Sequence, residues 1–409
     1  MTDADEVWGC IVVGGGVMGS ATALQLVERG VRTLLLEQFT LPHTRGSSVG
    51  GTRVIRRAYR EQLAYMADIV TESISMWEQL QDKTGVKLIV PKPFVVVADR
   101  TVEGVRSKAR TLQTAGLPHR LAGGPALRAD FPALHYPVGF TGLVDEKGAQ
   151  IRADKAIKCL QPEVFIICFY RSLCSQEVFS QKGGVIRDGV KVETITPGDV
   201  ITLSTSRGTY RTRRLVLTCG PWAGDVLAGV GLHPPLQVMP INLLYMRKSQ
   251  GEPISVRDDF PCLFDDDSEV GAFPSLEHPD TIKISFSQQG GTDRGHTAHP
   301  DRRDADMAAQ LAADQAFLKD YVSKHFPDFE NQPCVVERCM YTNTPDGNFI
   351  LDRYPSHSNI VFGTGFSGHG FMAAPVVGQL LCQMVLDLPT SYDVTPFRLS
   401  RFPRKTSSL

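Results

Sequence analysis

The sequence predicts a mixed α/β (α+β) chain in two interleaved parts, an open parallel sheet that the chain leaves and re-enters, and a second domain built on a β-sheet. Three observations carry this. A strand, glycine turn, helix and strand follow one another within Cys10–Leu36, the texture turns abruptly β-rich from Val86, and buried strands ending in glycine turns recur far downstream at Arg214–Thr218 and Ile360–Phe362. The spacing assigns residues 1–85, 146–220 and 331–409 to the first domain, and 86–145 and 221–330 to the second.

The opening unit is the most specific. Cys10-Ile11-Val12-Val13 suits a buried parallel strand, and G-x-G-x-x-G follows at Gly14, Gly16 and Gly19. The first glycine permits the tight turn, the second lets a pyrophosphate approach the backbone, and the third lets the helix Ser20–Arg29 pack on the strand. The helix N-terminus favours phosphate. Gly30 closes the helix, Val31–Leu36 is the next strand, and Glu37 stands at its carboxyl end, where an acid binds an unphosphorylated ribose. The fingerprint therefore predicts a Rossmann-like site for FAD or NAD rather than NADP.

Composition narrows the class. A net charge of −1 over 409 residues, with 42% hydrophobic and 21% charged residues, gives no sign of a nucleic-acid or anionic-membrane partner. The acidic start Met1–Glu6 lacks the apolar core of a secretory signal, and Val164–Tyr170 is too short to span a bilayer. The nine cysteines are scattered without C-x-x-C pairs, so neither a disulfide framework nor a metal site is expected, and a reducing compartment fits. The ending Ser407-Ser408-Leu409 has the small first and leucine last residues of a peroxisomal signal without its basic middle one, which makes peroxisomal, otherwise cytoplasmic, location the expectation.

Along the chain, Gly46–Thr52 is a hydrogen-bonding loop leading into Arg53, Arg56 and Arg57; on a helical turn Arg53 and Arg56 would share a face and point at one anion. Met66 to Leu80 reads as an amphipathic helix. Strands are expected at Lys87–Val90, Phe94–Ala98, Phe140–Leu143, Val190–Ile195, Ile241–Met246 and Thr281–Phe286, with helices near Val102–Ala115, Ala153–Leu160 and Arg303–His325. Val200–Ser204 and Tyr210–Thr212 fit a β-meander. Glu337–Arg353 reads as the return to the first domain, and the glycines of Gly363–Gly370 lie between a strand and a helix from about Ala373 to Leu386, a second place for backbone to meet an anion or carbonyl.

Four segments carry a family resemblance: Pro42–Ser48, Thr52-Arg53-Val54-Ile55-Arg56, Cys339-Met340-Tyr341-Thr342-Asn343-Thr344-Pro345-Asp346 and Gly365-Phe366-Ser367-Gly368-His369-Gly370-Phe371. With the opening fingerprint they resemble the monomeric sarcosine oxidase family, above all its animal peroxisomal sarcosine/pipecolate oxidases, over nearly the whole chain. The resemblance implies a discontinuous FAD domain of glutathione-reductase type, a substrate domain whose sheet covers the flavin, and a monomer. It implies a reaction in which the C–N bond of a secondary amino acid is oxidised to an imine and O2 is reduced to H2O2. A peroxisomal import receptor would be the one protein partner.

Residue by residue, the resemblance makes Cys339 the thiol joined covalently to FAD, Arg56 the arginine for the substrate carboxylate, Arg53 the cation beside the flavin ring and Lys283 the lysine that assists oxygen. Ser47, Gly365, Gly368 and Gly370 join Gly14, Gly16, Gly19 and Glu37 as cofactor contacts. Three positions depart from the family pattern: Met372 stands in place of a carboxylate-clamping lysine, Ser287 in place of a histidine and Gly271 in place of a tyrosine. Loss of one charged hydrogen bond costs about 1.5–3 kcal/mol, which points to a larger or less acidic amine than sarcosine. Two alternatives stay open, a flavoprotein that has lost turnover and a flavin-dependent amino-acid dehydrogenase. Pro162–Gln181 is an extra apolar stretch, readable as an inserted element, a partner surface or sequence absent from the mature protein.

Overall fold

In the computed structural model, residues 6–161, 184–251, 255–286 and 297–403 are described. Pro162–Gln181, Ser287 and the tail Lys405–Leu409 lie outside them.

Cys10–Val13, Thr33–Leu36 and Leu215–Leu217 are buried at every position, the pattern of strands covered on both faces. They form the centre of a six-stranded sheet ordered Gly184–Arg187, Thr33–Leu36, Cys10–Val13, Leu215–Leu217, His357–Thr364, Ile350–Tyr354. Every neighbouring pair is parallel except the last. The helices Val17–Glu28 and Gly370–Val385 contribute to the core with Val12, Leu35 and Val361, and they approach closely because a side chain at Gly378 would meet the Ala21 backbone at 2.7 Å. Leu34, Leu36, Leu215 and Leu217 pack instead with Ile201, Leu203 and Tyr210 of an antiparallel meander.

The second layer is an eight-stranded sheet ordered Phe329–Asn343, Gln237–Lys248, Thr281–Phe286, Val270–Pro274, Cys262–Asp265, Phe94–Ala98, Thr141–Asp145, His119–Gly123. Strand alternation divides its residues between two faces. Val270, Ala272, Ile282, Ile284, Leu244 and Met246 pack against Leu318, Tyr321 and Val322 of the helix Arg303–His325. The opposite face carries Tyr245, which pairs with Lys283, Lys283 with Phe273, and Gly271 with Ser285.

Several expectations need correction. Arg53 and Arg56 do not share a helical turn: Thr52–Ile55 is a strand, its backbone taken up by antiparallel pairing with Ala149–Arg152. The first helix begins at Val17, before the expected Ser20, and the next strand starts only at Thr33, because the Val31 N–H donates to Leu26 O at the helix end. The strand Gly184–Arg187 was not anticipated, and the one expected at Val190–Ile195 is Val192–Thr196. Phe329–Asn343 is one strand of the eight-stranded sheet, paired with Gln237–Lys248 as far as Asn343, so the chain re-enters the six-stranded sheet at Ile350 rather than at Glu337. The expected helices at Ala153–Leu160 and Arg303–His325 have those bounds.

Candidate active site

Four successive neighbours in the six-stranded sheet end at one place. The glycine turn follows Val13, Glu37 follows Leu36, Thr218 follows Leu217, and Gly365 follows Thr364, all at carboxyl ends of parallel strands, where open α/β sheets bind ligands. There they border a cavity of about 1700 Å³, which Ser47–Gly50, Arg53, Met340–Thr342 and Phe366–Gly368 also line.

The glycines have steric reasons. Gly14 has φ +104°, and a Cβ there would lie 2.4 Å from Thr218 O; one at Gly19 would lie 1.9 Å from Gly14 O. Glu37 is buried and shapes the turn: the Gly15 N–H donates to its Oε2 at 2.7 Å and the Phe39 N–H to its Oε1 at 3.0 Å. The Val17 N–H donates to Ser48 Oγ at 3.1 Å, and Gln161 Nε2 to Ser20 Oγ at 2.8 Å. Gly365, at φ +67°, and Gly368, at +77°, permit the second turn; a Cβ on Gly368 would strike the Tyr341 ring at 2.6 Å. Ser47 Oγ and Thr342 Oγ1, both in the cavity wall, are buried without a hydrogen-bond partner among the described residues. A cavity of this volume, a glycine cradle and unused polar atoms fit a dinucleotide such as FAD.

One part of the cavity wall is Ser47–Gly50, in a turn that Arg53 closes on itself. Its guanidinium donates to Thr52 O at 2.8 Å, to Ser47 O at 3.0 Å and to Val49 O. Cys339 Sγ approaches the same Ser47 carbonyl at 3.8 Å, so Cys339, Ser47 and Arg53 meet at one point. Lys283 lies behind Gly50: a Cβ there would be 3.2 Å from Arg53 Nη1 and 3.4 Å from Lys283 Nζ. Lys283 Nζ pairs with Glu277 Oε1 at 2.9 Å and faces Glu337 Oε2 at 3.8 Å, and the Tyr245 hydroxyl reaches both carboxylates, at 2.8 and 2.6 Å. Burial and the Arg53 charge press the Lys283 pKa down, against Glu277 and Glu337. Burial raises that of Glu277, but Lys283 and the hydrogen bonds from Thr52, Lys283 and Tyr245 outweigh it and hold it at about 2.

Arg56 and Met372 also come together: the Arg56 N–H contacts Met372 Sδ at 3.4 Å, and Met372 is buried. The Arg56 guanidinium donates to Ala58 O at 3.1 Å and lies over the Tyr59 ring, 4.7 Å from its centroid. His369 supports that ring. Its Nε2 is 2.9 Å from Gly347 O, which can only accept, so Nε2 carries the proton and Nδ1 accepts from the Tyr59 hydroxyl at 3.3 Å. Gly271 stands on the Lys283 face. Cys339, Lys283, Arg56 and Met372 are not themselves part of the cavity wall.

Sequence reasoning missed Glu277, Tyr245, Gln161 and the Tyr59–His369 pair. None belongs to a spacing motif; His369 alone stood inside a recognised segment. Among the described residues no group of three or more His, Cys, Asp or Glu side chains is placed to hold a metal ion, and no helix is long and apolar enough to cross a membrane.

The fold and cavity define a flavin-binding oxidoreductase, and comparison with known proteins agrees. Residues 10–384 match the family DAO, FAD dependent oxidoreductase, and the chain belongs to that family. It is 37% identical to peroxisomal sarcosine oxidase of Homo sapiens, over 98% of each chain, and 28% identical to monomeric sarcosine oxidase of Bacillus sp. (strain B-0618), over 97% of each. Among solved structures it resembles NikD, an unusual amino acid oxidase, with a TM-score of 0.76 at 21% identity over 96% of this chain and 97% of that one. Glycine oxidase from Geobacillus kaustophilus gives 0.75 at 19% identity over 97% and 99%. At those identities the structural likeness establishes the shared fold.

His369 gives the site a pH signature. Burial, with the Arg56 charge adding to it and the Gly347 hydrogen bond opposing, lowers its pKa from 6.5 to about 3. The folded chain keeps it neutral where the unfolded chain takes a proton, so its contribution to stability is complete above pH 6.5 and is lost as pH falls toward about 3. Urea midpoints of wild type and His369→Gln between pH 7.5 and 4.5 check this: the wild type should lose more stability on acidification, and parallel curves would contradict it.

Proposed function

We propose that the protein is an amine oxidase acting on a secondary or N-methyl amino acid, with O2 as electron acceptor and H2O2 as product. The observation that carries this reading is that Lys283 and Arg53 both lie beside Gly50, itself a residue of the cavity wall, in a chain 37% identical to a peroxisomal sarcosine oxidase. FAD supplies the two-electron acceptor. The glycine cradle and Glu37 would hold its adenosine and phosphate portions, and the Arg53 cation would favour negative charge on the flavin. Lys283 would offer an ammonium to oxygen as it gains charge. Arg56, fixed over Tyr59, is the carboxylate-binding group, its planar fork suited to two parallel hydrogen bonds.

Cys339 is proposed as the covalent attachment point. Support comes from its position: buried, beside Met340 and Tyr341 of the cavity wall and on the sheet face shared with Glu337. A domain division follows the two sheets, with the substrate domain's last strand running to Asn343. The chain would act as a monomer, and the peroxisomal name of its human relative favours that compartment and an import receptor as partner.

Met372 and Gly271 shape the substrate preference. A methionine against Arg56 leaves the carboxylate one cationic partner short of the family pattern, and a glycine on the Lys283 face widens the pocket. A bulkier or cyclic amino acid gains more from that apolar room than sarcosine does. The dehydrogenase alternative is disfavoured by Lys283, and nothing in the site favours a silent flavoprotein.

Two outcomes follow. In Cys339→Ser, acid precipitation should leave flavin in the supernatant, whereas wild type carries it into the pellet; flavin released equally from both excludes the covalent link. In steady state, a cyclic amino acid such as pipecolate should exceed sarcosine in kcat/KM by about tenfold or more, the equivalent of one charged hydrogen bond. Met372→Lys should narrow the gap, and a clear preference of the wild type for sarcosine defeats the reading.

A further inference from the structure

Lys283 does not stand alone. Four charged groups face one another behind Gly50: Arg53 from the strand Thr52–Ile55, Lys283 from Thr281–Phe286, Glu337 from Phe329–Asn343, and Glu277 from the turn before Lys283's strand. Two cations meet two carboxylates, with the Tyr245 phenol between the carboxylates and His278 edge-on to the Tyr245 ring at 4.5 Å. Lys283 is 1% exposed, so removal of its closest counter-charge leaves an ammonium in a poorly solvated place beside a guanidinium.

Glu277 is the member that ties this cluster to the cavity wall. Thr52 Oγ1 donates to its Oε2, the Leu276 N–H donates to Thr52 Oγ1 at 2.9 Å, and a Cβ on Gly51 would lie 2.9 Å from Glu277 Cβ. The carboxylate thus touches Thr52, next to the wall residue Arg53, through one oxygen and Lys283 through the other.

We propose that Glu277 is a positioning residue for Lys283, its carboxylate holding Nζ as an ammonium against the inner side of Gly50 while Glu337 and Tyr245 complete the hold. This rests on the reading that Lys283 serves the oxygen step. Without Glu277, burial and Arg53 act on Lys283 against Glu337 alone, at 3.8 Å, and the lysine gives up its proton at lower pH. Reoxidation then becomes pH-dependent, falling by about tenfold per pH unit above the new midpoint, while reduction by the amine is unchanged.

The test uses the flavin-loaded full chain as wild type, Glu277→Gln and Lys283→Met. The readout independent of turnover is the NMR titration of the Lys283 Cε resonance, identified by its loss in Lys283→Met. Its midpoint should fall by at least about one pH unit in Glu277→Gln, a tenfold change in ionisation constant. Stopped-flow mixing with O2 should show slowed reoxidation at alkaline pH that recovers on acidification. An unchanged midpoint, or reoxidation equal to wild type at every pH while Lys283→Met is slow, overturns the role of Glu277 and leaves that of Lys283 standing. Reoxidation unchanged in Lys283→Met overturns the oxygen reading itself. If Glu277→Gln does not fold, Glu277→Asp decides: any downward displacement of the Lys283 midpoint supports the proposal, and a wild-type midpoint overturns it.

Discussion

Arg53 donates to three carbonyls of the turn that precedes it, and through that turn the two sheets meet. On one side the turn faces the carboxyl ends of the parallel strands; on the other it is backed by Cys339 and Lys283 of the eight-stranded sheet and by Glu277 of the turn before the Lys283 strand. Gly50, at φ +101°, leaves room for both cations at once. A side chain there would strain the backbone and push Arg53 and Lys283 away from the wall. The cavity wall and the buried charge cluster behind it therefore depend on the same few residues.

Much of this was legible in the sequence where a local pattern has one structural solution. Gly14, Gly16, Gly19 and Glu37 follow a spacing set by a tight turn and a helix end, and Arg303–His325 and Ala153–Leu160 are periodic enough to bound. Arg53 and Arg56 misled because three-residue spacing suggests a helix, while the strand that holds Arg53 and ends just before Arg56 owes its existence to Ala149–Arg152, far along the chain. Cys339 is singled out by family resemblance alone, since a lone cysteine carries no pattern of its own; what the structure adds is its place beside the Ser47 carbonyl. The strand that carries it stays in the eight-stranded sheet through a register no local pattern specifies.

Glu277 and Tyr245 mark the limit of motif reading. Each contacts Lys283's surroundings through tertiary placement: Tyr245 by cross-strand pairing, Glu277 by the turn that folds it back onto Thr52. Tyr59 and His369 similarly join residues 310 positions apart to set the posture of Arg56. Met372 and Gly271 are placed by tertiary contact in the same way, Met372 against the Arg56 N–H and Gly271 on the Lys283 face.

The measurement that tests the central claim most directly is the visible spectrum of the purified protein without oxygen, before and after sarcosine, pipecolate or proline. The account predicts a yellow protein that at least one of these amines bleaches, and that air restores with release of H2O2. A yellow protein that bleaches with an amine but is restored only by an artificial electron carrier would contradict the oxidase, and a protein that binds no flavin would contradict the site.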